Sequence, residues 1–235
     1  MSAIQQLLAS YKAGGGDPHF ADVSLLLHFE GANGGTTFTD SSPNGFTPTV
    51  TATARTATNQ FKFGTASGEM FSGGKLSYAD NAAFELGSGD FTIETFKRFS
   101  SLPSSGAAVR IGAKYESAGN QRSYAFYQFN NAGTQQLLFS YSSDGIAATD
   151  VSENYTPPTA TWIHYAVCRS GSSLRFFING TQVGATKTVT GTFFNGSAPY
   201  EIGTNSNGWF DEYRLTKYAR YTSNFTVPSE AFPNA

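Results

Sequence analysis

The sequence predicts an all-β chain folded as a two-sheet antiparallel sandwich of jelly-roll type, with a short N-terminal helical arm. Aromatic residues make up 15% of the 235 positions, including 21 Phe and 12 Tyr, against 14% charged residues. Such a composition suits pleated strands packed face to face. Turn-forming clusters recur at sandwich-like spacing and separate short apolar runs, with no helical pattern between them. The stretch His164 to Gly184 reads as two antiparallel strands, a tight turn and a third strand. Within it Leu174, Phe176 and Ile178 point one way, and Arg175, Phe177 and Asn179 the other. Asn179-Gly180 supplies the positive-φ pair that a two-residue type I′ hairpin needs.

From the N-terminus, residues 1–22 read as an arm and residues 23–235 as one sandwich, a length that one large β domain accommodates. The arm holds the one helix pattern, Ser2 to Lys12, with Ile4, Leu7, Leu8 and Tyr11 in a single apolar stripe. Ser2 is its N-cap and Gly14-Gly15-Gly16 ends it. A helix this short is marginal alone, so its stripe packs either on its own domain or on a partner. From Val23 onward the chain reads as β to its end. Ser24 to Glu30 starts as an apolar run that suits a strand buried on both faces. Strands are predicted over Phe91–Phe99, Tyr124–Phe129, Gln135–Tyr141, Ile163–Arg169 and Phe210–Leu215. The turns between them include Asn33-Gly34-Gly35, Ser42 to Gly45, Ser142 to Gly145 and Asn205 to Gly208.

Charge and cysteine content narrow the function classes. A net charge of −2 without a basic run argues against nucleic acid as a partner. In Lys217 to Tyr221 with Asn224-Phe225, alternating tyrosine and basic residues are expected to order across the sandwich. Cys168 is the only cysteine, so no intrachain disulfide forms, and within Tyr165 to Cys168 it reads as an inert core residue. Lys12 follows the first apolar residues, unlike a secretory leader, so export by that route is not expected. No run reaches membrane-spanning length, and no membrane partner is expected.

Four segments in order carry a family resemblance: Leu25 to Gly45, Gly87 to Glu94, the hairpin preceded by Trp162, and Trp209 to Pro233. Together they resemble the laminin-G-like branch of the concanavalin A-like lectin/glucanase superfamily, over roughly Val23 to Pro233. The closing segment resembles versions carried by bacteriophage virion proteins. Two positions depart from the pattern: Thr95-Phe96-Lys97-Arg98-Phe99 puts the register of its strand in doubt, and Cys168 stands where a small polar residue is commoner.

The resemblance implies a non-enzymatic virion structural protein, assembled in the host cytoplasm. Capsid decoration is the leading role, with the sandwich displayed through the arm residues Ile4, Leu7, Leu8 and Tyr11. Its partners would be other capsid or tail proteins and further copies of itself in a homo-oligomer. The alternative is a lectin-like tail or fibre protein recognising host-surface glycans. Candidate glycan residues are Tyr115, Arg122, Tyr124, Tyr127 and Trp209, aromatic faces beside hydrogen-bonding side chains. Strand alternation points half of these aromatics outward without saying which half.

Hydrolysis is not expected. The hydrolase form of this fold carries Glu-x-Asp-x-x-Glu, which the sequence lacks, and no second acid joins Glu94 on its strand. Asp211 and Glu212 are adjacent and expected to point to opposite faces. His19, His28 and His164 are expected to be structural. A structural calcium is the one cofactor the resemblance implies, at Glu30, Asp40 and Asp211. The competing reading gives Asp40 an Asx turn with Ser42, and pairs Asp211 or Glu212 with Arg214 or Lys217.

Overall fold

The computed structural model describes residues 16–235. The helix expected over Ser2–Lys12, with Ile4, Leu7, Leu8 and Tyr11, lies outside the described residues. Strands run in chain order as β1 (Val23–Leu27), β2 (Thr49–Thr51), β3 (Arg55–Ala57), β4 (Ser67–Met70), β5 (Lys75–Tyr78), β6 (Phe91–Phe99), β7 (Ala108–Glu116) and β8 (Gln121–Asn131). There follow β9 (Thr134–Tyr141), β10 (Thr149–Asn154), β11 (Trp162–Ser170), β12 (Ser173–Ile178), β13 (Thr181–Thr188), β14 (Tyr200–Ile202) and β15 (Gly208–Thr216). They form an antiparallel eight-stranded sheet, β13-β12-β11-β6-β15-β4-β3 with β1 also on β15, and a seven-stranded sheet, β10-β9-β8-β7-β14-β5-β2. The two layers are the predicted sandwich.

Alternation builds the core. Phe91 and Ile93 of β6, Val167 of β11 and Leu174, Phe176 and Ile178 of β12 face Tyr124 and Phe126 of β8 and Leu137 and Phe139 of β9. The hairpin forms as predicted: Asn179 and Gly180 take φ of 48° and 75°, and Thr181 pairs with Ile178. In β1 all five residues are buried. Leu25 and Leu27 enter the main core, and Val23 and Leu26 pack on the opposite side with Phe96 and Phe232. The strand ends before the predicted Glu30 because Phe29 takes φ of 60°.

The eight-stranded sheet is covered on its outer face, and that cover is not β. Contrary to the sequence reading, no strand follows Thr216; residues 217–235 run across the sheet as a strap. The Thr92 hydroxyl donates to the Tyr218 carbonyl at 2.8 Å, and the Phe225 amide to the Gly180 carbonyl at 2.8 Å. Ala219, Tyr221 and Phe225 cover Ala166, Cys168 and Phe177. The strap is therefore ordered across the sandwich, as the net negative charge and the family resemblance implied, and the Cys168 thiol lies beneath it.

Two local features depart from simple alternation. In β15 a bulge sets four residues, Asp211 to Arg214, against Phe96 to Glu94 of β6, with Glu212 at φ 49°. Both acids therefore reach the covered side: Asp211 accepts from the Lys62 and Phe63 amides, and Glu212 from the Phe232 amide. The expectation that adjacency would send them to opposite faces is corrected by that extra residue. Against β11 the register of β6 is continuous from Phe91 to Arg98, and it places Lys97 between the sheets. Its ammonium donates to the Ser206 hydroxyl at 2.7 Å and lies 4.0 Å from the Phe210 ring centroid. Burial alone holds this amine well below the ordinary lysine range.

Candidate functional site

The outer faces of the two sheets differ in access. On the eight-stranded sheet the strap seals a charged cluster around Glu94 of β6, which is 0% exposed. Its carboxylate accepts from Arg214 at 2.9 and 2.7 Å, from the Tyr221 hydroxyl at 2.7 Å, and lies 3.2 Å from His164 Nε2. Burial would raise this carboxyl, but Arg214, then His164 and Arg220, hold it well below the usual range. Asp17 completes the cluster through Arg214 at 3.0 Å and Arg220 at 2.6 Å. Acids and a histidine stand together here, yet the strap leaves no room for a substrate beside them. His28 is likewise engaged, between Glu212 at 2.8 Å and Asn234 at 2.6 Å, and His19 stacks on Tyr218 at 3.6 Å.

On the seven-stranded sheet the corresponding face is open. Its centre is a patch in which Ala113 of β7 pairs with Ala125 of β8, flanked by Tyr115 and Tyr127. The two tyrosine rings meet edge to face at 6.4 Å, and the small alanines, both 0% exposed, form the floor they cover. Register extends the patch across the strands. Arg110, Tyr127, Leu138 and Ser152 lie opposite one another on β7, β8, β9 and β10. Beside that row lies another: Ala108, Phe129, Gln136 and Asn154. Tyr115, Phe129 and Leu138 are half-buried and present apolar surface to solvent.

Polar groups frame this surface. Glu201 of β14 accepts from both Lys75 of β5 and Arg110 of β7. Burial would raise its carboxyl; the Lys75 hydrogen bond and the Arg110 charge bring it below its ordinary value instead. Burial pushes the Tyr127 phenol upward, with Arg110 opposing, so it stays a neutral donor and acceptor. The Gln136 amide donates to Asn154 at 2.9 Å, and the Ser140 hydroxyl donates to Asp150. A cleft of about 330 Å³ opens where Tyr115, Glu116, Lys75, Arg110, Glu201 and Thr204 meet. Partly exposed rings beside fixed hydrogen-bonding groups are the make-up of a surface that binds a ligand with alternating apolar and hydroxyl faces.

The predicted glycan residues separate on this fold. Tyr115 and Tyr127 lie together on the open face, and Arg122 pairs with Tyr115 in register while donating to the Gly145 carbonyl at 3.4 Å. Tyr124 is corrected to a core residue: it is 0% exposed and its hydroxyl donates to the Phe84 carbonyl at 2.8 Å. Trp209 belongs to the other sheet, where Nε1 donates to Glu69 at 3.2 Å and the Arg98 guanidinium lies 5.7 Å from the ring. Sequence reasoning missed Arg110, Phe129, Leu138 and Glu201. The alternation of Ala125, Tyr127 and Phe129 was the available signal, but choosing its face required the partner strand.

The three acids suggested for calcium are not brought together. Asp40 accepts from the amides of Leu26 (3.0 Å), Ser42 (2.9 Å) and Phe46 (2.8 Å), so the Asx-turn reading describes it. Glu30 is bound to the Thr65 amide at 3.0 Å and hydroxyl at 2.5 Å. Asp211 takes amides at 2.6 and 3.1 Å, and burial pushes its carboxyl up to about 8. Among the described residues no three His, Cys, Asp or Glu side chains group as metal ligands. The competing ion pairs are also corrected: Arg214 is taken by Glu94 and Asp17, and Lys217 by the Ala82 carbonyl at 2.6 Å.

No curated protein sequence matches the chain. Among solved structures, the fold is similar to the binding domain of Paraclostridial Mosquitocidal Protein 1, with TM-score 0.67, 13% identity, and coverage of 86% of this chain and 50% of that one. It is similar to the binding domain of Botulinum Neurotoxin DC in complex with SialylT, with TM-score 0.65, 16% identity, and coverage of 86% and 49%. The chain thus spans about half the length of these toxin domains. Domain 4 of an extracellular arabinanase from Geobacillus stearothermophilus, solved with arabinotriose, gives TM-score 0.62 and 15% identity over 84% of this chain and 93% of that one. At these identities the likeness is one of fold. A family model described as the concanavalin A-like lectin/glucanases superfamily matches residues 72–222, more than half of the chain. With the two-sheet architecture, that match makes the chain a member of the concanavalin A-like lectin/glucanase superfamily.

Proposed function

We propose that the protein is a non-catalytic carbohydrate-binding sandwich that takes its glycan on the open face of the seven-stranded sheet. The observation that carries this reading is the pairing of Tyr115 and Tyr127 over the Ala113–Ala125 floor, framed by Arg110 and Glu201. Half-buried Tyr115 and Phe129 offer ring surface for the apolar face of a sugar, with Tyr127 buried at 8% exposure beside them, and fixed polar groups meet its hydroxyls. The carbohydrate complexes of the toxin and arabinanase domains support the same class of ligand. Turnover is not part of the reading. Glu201 is held between two cations, Asp150 is hydrogen-bonded to Ser140, and Glu94 is sealed under the strap. A glycan array with the full chain tests the reading: saturable binding that Tyr115→Ala abolishes, with the fold intact by circular dichroism, is the expected result. Silence across the array, or binding indifferent to that change, rejects it.

A place on a bacteriophage particle, in capsid decoration or in the tail, is compatible with this ligand face and has one structural observation in its favour. The Asp17 amide donates to the Ala235 carbonyl at 2.5 Å, so both described ends meet on the strapped sheet, with the open face on the other side. Attachment through residues 1–16 would present the glycan face outward, and repeated copies would add avidity. Loss of particle incorporation on deleting residues 1–16 is the expected result, and unchanged incorporation rejects it.

A further inference from the structure

We infer that the glycan is a neutral one, lying as a short chain across β7, β8, β9 and β10; this rests on the carbohydrate-binding reading above. The cations bordering the face are already engaged. Lys75 and Arg110 share the carboxylate of Glu201, a residue only 7% exposed. An anionic sugar would have to displace that carboxylate, leaving it unpaired in a buried site. Arg122 donates to the Gly145 carbonyl at 3.4 Å, and Lys187, on the edge strand β13 of the other sheet, is held by Glu153 of β10 at 2.5 Å. The carboxylates Glu116 and Asp150 are exposed and add negative charge at the margin of the face. Its charge therefore favours no acidic ligand.

The uncharged groups are arranged for a hydroxylated chain. Rows of side chains in register cross four neighbouring strands, and strands about 4.8 Å apart make each row run about 15 Å. In one row apolar Leu138 stands between the hydroxyls of Tyr127 and Ser152, and in the other apolar Ala108 and Phe129 lead to the amides of Gln136 and Asn154. Apolar patches interleaved with neutral donors and acceptors complement a sugar chain whose residues carry both kinds of surface.

Calorimetric titration of the full chain separates the alternatives, with arabinotriose, xylotriose and cellotriose as neutral probes and sialyllactose and trigalacturonate as acidic ones. A neutral probe is expected to bind, with affinity changing less than about twofold between 50 and 500 mM NaCl, because no ion pair forms on binding. Leu138→Asp, a change on the half-buried surface, should weaken that binding at least tenfold. Glu201→Gln should release Lys75 and Arg110 and bring acidic-probe binding that salt suppresses. Preference of the unaltered chain for an acidic probe, lost in high salt, would overturn the neutral assignment while sparing the glycan reading. Failure of every probe, together with a silent array, would remove both.

Discussion

Replacing Glu94 by glutamine keeps the shape of the side chain and removes the charge at the centre of the sealed cluster. Glu94 is 0% exposed and accepts two hydrogen bonds from Arg214, one from Tyr221 and one contact from His164. In the variant the terminal amide must face one of those donors, and Arg214 loses its shorter ionic partner. Removing one member of a buried pair costs about 3–5 kcal/mol. Arg214 keeps Asp17 at 3.0 Å, which places the expected loss near the lower end of that range. For a domain of this size about 3 kcal/mol lowers the melting temperature by roughly 6–12 °C. The strap should loosen with it, because Tyr221 and Arg220 anchor it to the same cluster. Circular dichroism melts at pH 7 read the first effect, and limited proteolysis followed by mass spectrometry reads cleavage within residues 217–235. The pH dependence has a definite sign. Because the folded carboxyl titrates below its ordinary value of 4.5, its contribution is complete above that pH and is lost as pH falls further. Wild type and Glu94→Gln should therefore converge in acid. A loss under about 1 kcal/mol at pH 7, with unchanged proteolysis and parallel acid limbs, would refute the reasoning.

Lys97→Met should be neutral or stabilising, because it replaces a buried amine held by a single hydroxyl with an apolar chain of similar length. Since burial lowers this amine's folded pKa, wild-type stability should rise with pH towards the ordinary lysine value of 10.5. Urea titrations at several alkaline pH values check both, and a clear loss of stability in Lys97→Met contradicts them. Gly180→Ala places a Cβ 2.1 Å from the Phe225 carbonyl oxygen at φ +75°, and should cost more than about 1 kcal/mol while exposing the strap to protease; an unchanged melt would contradict this. Chelation with EDTA should leave the melting temperature unchanged, because Glu30, Asp40 and Asp211 each answer to donors of different segments. A reproducible fall, with a metal found by elemental analysis, would reverse that conclusion.

Much of the sandwich was legible because its signals are local. The Asn179-Gly180 turn, the alternation of Leu174 to Ile178 and the apolar run Leu25 to Leu27 each follow from neighbouring residues. The candidate site was legible only in part. Tyr115 and Tyr127 were identified, whereas Tyr124 entered the core and Trp209 joined the other sheet. Phase along β8 is set by which side chains meet β6 and β12 across the sandwich, and no local pattern carries that. The bulge at Glu212 likewise undid an argument from adjacency, because one inserted residue reverses alternation beyond it.

Periodicity and turn chemistry alone account for an all-β chain with its hairpin. These properties depend on residues within a few positions of one another. Long-range pairing settled the rest: which sheet the tail covers, why Glu94 is sealed, and which face stays open beside Tyr115. Only when strands distant in sequence become neighbours does a ring gain a floor of alanines, or an acid such as Glu201 find two cations.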